Sequence, residues 1–229
     1  MKEITIHTTR RADILAWCYL ALEQTVLPYL ILWLNTLLPQ PLDGVELNFV
    51  LFCLNFVVTV LLFGKFLWRN ALQFVNRPGS MLLKALTGFF TYLGANWVIN
   101  FLIINLYPGF FNVNDQVIGT AFQQHYFLMA LSTVVFAPVA EELLYRGLVF
   151  RVLYRKNPVL GYVVSVLFFS AIHVIGYIGK YDAIMLLVCF IQYIPASLVL
   201  AACYARTDCI FVPILIHMTI NLIAIANMR

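Results

Sequence analysis

A small set of side chains in this sequence combines reactivity with helical spacing. Glu141, Glu142 and Arg146 fall in the run AlaGluGluLeuLeuTyrArgGly, Phe169 precedes His173 by four residues, and His217 precedes Asn221 by four. Residues four apart share a helix face, so each pair can point one way together. Hydrolysis of a peptide bond needs a group to take a proton from water, a proton carrier, and donors for the developing oxyanion; two histidines, an asparagine and a double glutamate contain all three. Adjacent glutamates lie about 100° apart around a helix and cannot project along one line. Spacing therefore pairs Glu142 with Arg146 and leaves Glu141 to turn toward water.

Each residue also has a plainer reading. A helix that ends early would leave Glu141, Glu142 and Arg146 at an interface, with Glu142 and Arg146 as a solvated i,i+4 pair. Either histidine could simply hydrogen-bond to a neighbouring helix. Other hydrolytic chemistries fit less well. Ser132, Ser165, Ser170 and Ser197 stand in no nucleophile motif, and Asp43, Asp115, Asp182 and Asp208 sit at or near the ends of apolar segments. Zinc hydrolysis asks for about three protein ligands; HExxH is absent, but His173, His217 and Glu141 could form such a set, so zinc stays open as an alternative to a cofactor-free site.

These residues lie in a chain built for lipid. Of the 229 residues, 63% are hydrophobic and 10% charged, and mean hydropathy is +0.91. Soluble domains carry about a quarter charged residues. The composition implies an integral membrane protein and excludes a disordered chain, a disulfide-rich secreted module and, at a net charge of only +4, a nucleic-acid binder. Spanning a bilayer takes roughly 20 apolar helical residues, and seven segments qualify: Ala12 to Leu38, Glu46 to Trp68, Met81 to Tyr107, His125 to Phe150, Pro158 to Ile178, Asp182 to Ala205 and Cys209 to Asn227. The weakest break, Gly179 to Tyr181, also permits six helices with a re-entrant segment. The expected fold is all-α: a polytopic transmembrane helix bundle forming one domain over residues 1–229, with a motif-bearing catalytic core at 125–227.

Basic residues tend to stay on the cytoplasmic side. With seven alternating spans, Lys2, Arg10, Arg11, Lys65, Arg69, Arg77, Lys84, Arg151, Arg155, Lys156 and Arg206 flank the N-terminal side, while Lys180 and Arg229 lie opposite. The connections Pro39 to Val45 and Pro108 to Gln124 contain no Lys or Arg. The expected N-terminus is cytoplasmic. The first apolar run is too long for a signal-peptide core. Asn70 to Ser80 reads equally as a short interfacial stretch or a plain loop. The 5 cysteines form no CxxC pair and read as small apolar residues.

The ordered motifs Glu141-Glu142-x-x-x-Arg146, Phe169-x-x-x-His173 and His217-x-x-x-Asn221, with the lead-in TyrAlaArgThrAspCysIlePheValProIleLeuIleHis, resemble those of the CAAX protease and bacteriocin-processing family, also called the Abi family. The resemblance spans roughly His125 to Asn227. It implies an intramembrane glutamate protease needing no metal, in which Glu141 and His173 activate water and His217 and Asn221 stabilise the oxyanion, with Glu142, Arg146 and Phe169 in support. The implied partner is a peptide or protein substrate in or at the bilayer. A bacterial plasma membrane, with the site opening to the cytoplasm, is the expected setting.

Two other functions compete. A non-catalytic scaffold or bacteriocin-immunity protein would use the polar cluster only to hold helices while binding a sensor kinase or exporter. A small transporter would use it as a proton relay, but shows no inverted repeat. Two points stay open in the sequence. Counting along the helices puts Glu141 and His217 at similar depth and His173 deeper. Glu23, near the middle of the first span, reads as interhelical hydrogen bonding, as an accessory beside the cavity or as the partner of a basic group, and Asn55, Asn96, Asn100 and Gln192 read as similar polar contacts.

Overall fold

A computed structural model describes residues 4–6 and 8–228; Lys2 and Arg229, counted above for orientation, lie outside the described residues. The chain is all-α. The helices are α1 Arg10–Thr25, α2 Leu27–Asn35, α3 Gly44–Leu62, α4 Gly64–Asn76, α5 Pro78–Leu106, α6 Val113–Gln124, α7 Tyr126–Tyr154, α8 Pro158–Ile172, α9 Ala183–Thr207 and α10 Phe211–Ala226. Among the described residues, α3, α5, α7, α8 with its following turn, and α9 are long and apolar enough to cross a membrane, and α1 with α2 makes a sixth if that bent pair is one span.

Local chemistry explains most boundaries. Thr9, Asp43, Asn157 and Asp182 accept hydrogen bonds from the first backbone N–H groups of α1, α3, α8 and α9, which have no partner inside the helix. Asp43 adds a reciprocal box with Glu46 and a 2.8 Å contact to His125 Nε2, tying the start of α3 to the start of α7. The first apolar run is broken: α1 and α2 meet at 53°, with Pro28 in the first turn of α2. A proline has no N–H and its ring crowds the carbonyl four residues back, here that of Gln24.

Two segments outside the expected spans are also helical. The second run stops at Leu62, and α4 then exposes Trp68, Leu72 and Val75 along one side; their spacing makes one apolar face, as an interfacial helix requires. The connection Pro108 to Gln124 contains α6. Its leading residues reach inward: Asn112 Nδ2 donates to Gln192 Oε1 at 2.6 Å, and Asn114 Nδ2 to Tyr193 Oη at 3.1 Å. The break at Gly179 is a tight turn with φ +82°, a conformation that glycine adopts without a Cβ clash.

The core gathers around the second half of α7. Every residue from Glu142 to Arg151 is buried, whereas α5 turns Phe90, Trp97 and Ile104 outward, as lipid-facing helices do. Leu143, Leu148 and Phe150 of α7 pack with Phe169 of α8, Ala201 and Tyr204 of α9, and Ile214 of α10. Arg151 is 0% exposed; it donates from Nη2 to Thr8 Oγ1 at 2.7 Å and to Asp13, and so fastens α1 to the core. Removing one partner of a buried pair typically costs 3–5 kcal/mol. Arg151→Met is expected to lower unfolding free energy by about 3 kcal/mol, read from denaturant midpoints in detergent; an unchanged midpoint would mean the pair does not anchor α1.

Candidate active site

Glu141, Glu142 and Arg146 occupy the middle of α7, not an early helix end. The helix runs on to Tyr154, and Glu142 and Arg146 are each 0% exposed, so the solvated-pair reading fails. Its backbone widens into π turns at Ser132–Phe136 and again at Glu142–Phe150. The first lies just before Pro138, whose ring displaces the carbonyl of Val134 and disrupts the ordinary ladder. The second brings the whole charged stretch into the core.

Three other helices bring partners to the buried charges, leaving Glu142 Oε2 and Arg146 Nε buried without one. Glu142 Oε1 accepts from Arg146 Nη1 at 3.0 Å and contacts His217 Nδ1 of α10 at 2.9 Å. Arg146 Nη2 donates to the carbonyl and the hydroxyl of Ser197 in α9, both at 3.2 Å. Its guanidinium also lies 4.2 Å over the ring of Phe169 in α8, a cation–π contact that gains strength where water is excluded.

Glu141 faces a different space. Its Oε2 is buried, makes no hydrogen bond, and stands 3.9 Å from His217 Nε2. That separation is too long for a direct hydrogen bond and within reach of one relayed by water. With Nδ1 of His217 held against Glu142, Nε2 is the ring nitrogen left facing Glu141. His173 is oriented in the same fashion: Nδ1 lies 2.8 Å from the Phe169 carbonyl, which turns Nε2 away from its own helix, and the ring stacks on Tyr193 at 4.1 Å. Asn221 Nδ2 donates one hydrogen to the Thr133 carbonyl at 2.8 Å and has a second to give.

Glu141, His173, His217 and Asn221 all line one cavity of about 360 Å³, together with Glu23 and Thr133. The depth mismatch in the sequence count disappears for two reasons. α7 extends about one turn beyond Phe150, which sets Glu141 deeper. α10 starts deep, because Asp208, Cys209 and Ile210 before it are buried under Thr5 and Asn70. A second cavity of about 420 Å³ shares His173, His217, Asn221 and Tyr193 and continues past Asn96, Asn100 and Gln192.

Several members of this assembly were not singled out by motif. Tyr193, Thr133 and the backbone of Ser197 support the three polar side chains, and only Gln192–Tyr193, a polar step inside an apolar run, left a trace in sequence. Glu23 combines two of the readings offered for it: it accepts from Asn55 Nδ2 at 3.0 Å and lines the cavity beside Glu141. Among the described residues, no group of three or more His, Cys, Asp or Glu side chains is placed to hold a metal ion.

Residues 123–223 match the family model described as Rce1-like, type II CAAX prenyl endopeptidase. The match bears out the family resemblance carried by the motifs and covers all of them. No curated protein and no solved structure matches the chain. This similarity to CAAX-type peptidases over residues 123–223, together with several long apolar helices, indicates an integral membrane protein.

The Glu142–Arg146 pair has its own test. In a double-mutant cycle with Glu142→Gln and Arg146→Met, a coupling of roughly 2 kcal/mol is expected, at the upper end for residues in one network. Additive losses would show that Ser197 and Phe169 alone hold the guanidinium.

Proposed function

We propose that this chain, whose residues 123–223 carry the Rce1-like match, is an intramembrane endopeptidase that hydrolyses a peptide bond in a membrane-associated or lipid-modified protein or peptide. The observation that carries the reading is the convergence of Glu141, His173, His217 and Asn221 on one cavity from three helices. Glu141 is the general base. Its unpartnered oxygen accepts the proton of the attacking water, and His173 Nε2 offers a second acceptor on the same wall. His217 and Asn221, one turn apart on α10, donate to the carbonyl oxygen as charge develops there, where fixed donors in a dry site act most strongly. For His217 to donate from Nε2 the ring must carry both protons, and Glu142 at 2.9 Å and Glu141 at 3.9 Å supply its counter-charge. Glu142 and Arg146 act one step back, by holding His217.

The proposal includes a single membrane domain over residues 1–229 with its catalytic core at 125–227. It counts seven spans, with the 16-residue α10 as the last, and a cytoplasmic N-terminus. The short α10 can complete the bundle because its buried start does not have to reach the surface. The Lys and Arg asymmetry supports this orientation, and with it a cavity opening to the cytoplasm, in a bacterial plasma membrane. The substrate is cut near its C-terminus or near a membrane boundary, as the family's description suggests for prenylated chains. No metal participates in the proposed reaction.

The purified protein is to be assayed on lipidated and unlipidated peptides. Glu141→Gln is expected to lower turnover by at least 100-fold, about the contribution of a positioned general base, and Asn221→Ala by roughly 100-fold, the cost of one oxyanion donor. Full activity in Glu141→Gln would sink the proposal, as would a biological function retained by a folded Glu141→Ala variant, since that is the behaviour of a scaffold. A chelator is expected to leave cleavage unchanged; loss on chelation with recovery on adding zinc would replace the metal-free mechanism.

A further inference from the structure

Away from the catalytic cavity, the sides of α5 and α9 enclose an apolar groove of about 360 Å³, walled by Gly88, Thr91, Leu198, Val199 and Ala202. It runs beside a close helix contact that a small residue of α5 permits. At Gly88 the two helices press so close that a Cβ would come within 2.5 Å of Cys203 Sγ. One end of the groove meets a second cavity, of about 480 Å³, between α4 and the start of α5, lined by Arg69, Gln73, Arg77 and Lys84. Lys84 and Thr207 belong to both. The two therefore adjoin at these residues, mainly apolar along the bundle, where Arg206 also lines the groove, and basic where the bundle meets α4.

Its chemistry is one-sided. No Asp or Glu lines either part. The nearest carboxylate in sequence, Asp208, follows Thr207 and accepts from Thr5 N at 2.8 Å. Gln73 adds an independent mark: its Nε2 donates to the Thr207 carbonyl at 3.1 Å, while its Oε1 is buried without a partner. An acceptor left in that state favours a ligand that brings a hydroxyl or N–H donor. The apolar face of α4, with Trp68, Leu72 and Val75 exposed, sets the basic cavity at headgroup level.

We propose that this feature is a binding site for an anionic glycerophospholipid, with an acyl chain in the α5–α9 groove, the phosphate between Arg77 and Lys84, and a headgroup hydroxyl donating to Gln73 Oε1. Phosphatidylcholine would fill the groove equally well but would place a trimethylammonium among the basic side chains, where it is repelled and cannot donate to Gln73. A basic residue at the surface contributes on the order of a fivefold preference for anionic lipid.

Native mass spectrometry of the full chain, released from detergent containing equimolar phosphatidylglycerol and phosphatidylcholine, tests the site. One phosphatidylglycerol per chain is expected to be retained in preference. Arg77→Gln and Lys84→Gln are each expected to cut that retention about fivefold, whereas Arg155→Gln and Lys156→Gln, which line neither cavity, leave it unchanged. Ala202→Trp, which fills the groove but spares the cations, is expected to lower retention as well. Equal retention of phosphatidylcholine would overturn the proposal. So would equal losses in the Arg155 and Lys156 variants, which mean diffuse attraction, or displacement of the lipid by glycerol 3-phosphate at equal concentration, which means an anion site without a lipid. Helical circular dichroism of each variant establishes that the fold is intact. Lipid retention does not depend on peptidase activity, so it stands or falls separately from the catalytic reading.

Discussion

A carboxylate and a guanidinium without exposed surface, Glu142 and Arg146, impose the strictest requirement in this molecule. An ionised group taken out of water costs several kcal/mol even after relaxation, and the cost is no smaller inside a membrane protein. The pair survives only because three other helices bring partners: α10 contributes His217, α9 the carbonyl and hydroxyl of Ser197, and α8 the face of Phe169. The positions of these helices around α7 are therefore fixed by charge as well as by apolar packing. The proposed catalytic groups occupy the same elements, one turn or less from the residues that satisfy the pair.

Further contacts hold the walls that the pair does not reach. Arg151 fastens α1 through Asp13 and Thr8, which keeps Glu23 at the cavity even though α1 and α2 bend away from each other beyond it. On the opposite wall, Asn70 Oδ1 accepts from Ile210 N at 2.8 Å and Asp208 accepts from Thr5. The turn between α9 and α10 is thereby sunk into the protein. A 16-residue helix rises only about 24 Å, less than a hydrocarbon core of about 30 Å, and the buried turn is what allows so short a helix to carry His217 and Asn221 at the level of Glu141.

Much of this was legible in the sequence because apolar length and charge scarcity are local properties. The all-α class and the apolar runs followed from composition. Charges in a lipid-facing chain are few, so the motif residues stood out, and four-residue spacing placed Glu142 beside Arg146. What stayed hidden depended on tertiary packing. α6 is short and mixed in polarity, and its Asn112 and Asn114 find partners only in Gln192 and Tyr193, far along the chain. The end of α4, within Asn70 to Ser80, read equally as a loop because its apolar side chains Leu72 and Val75 are exposed and not packed on protein. Thr133 acts through its backbone carbonyl, to which residue identity gives no clue, and Ser197 through its carbonyl as well as its hydroxyl. The wide turns of α7 were likewise invisible: Pro138 hints at the first, but nothing in the apolar pattern around Arg146 announces the second.

Phe169 is the point where these elements meet. One face of its ring receives Arg146, while His217 approaches at 69° with centroids 5.6 Å apart and His173 lies 4.8 Å away at a tilt. An aromatic ring attracts a cation through its electron-rich face yet offers neither a strong donor nor an exchangeable proton. It therefore packs against a permanent charge and two titratable imidazoles at once without lending or taking a proton. The guanidinium, rich in N–H groups, reaches the cavity-lining His217 through Glu142 Oε1, which both contact, and not through the ring. Proton traffic beside the two histidines is left to the histidines themselves and the carboxylates within their reach.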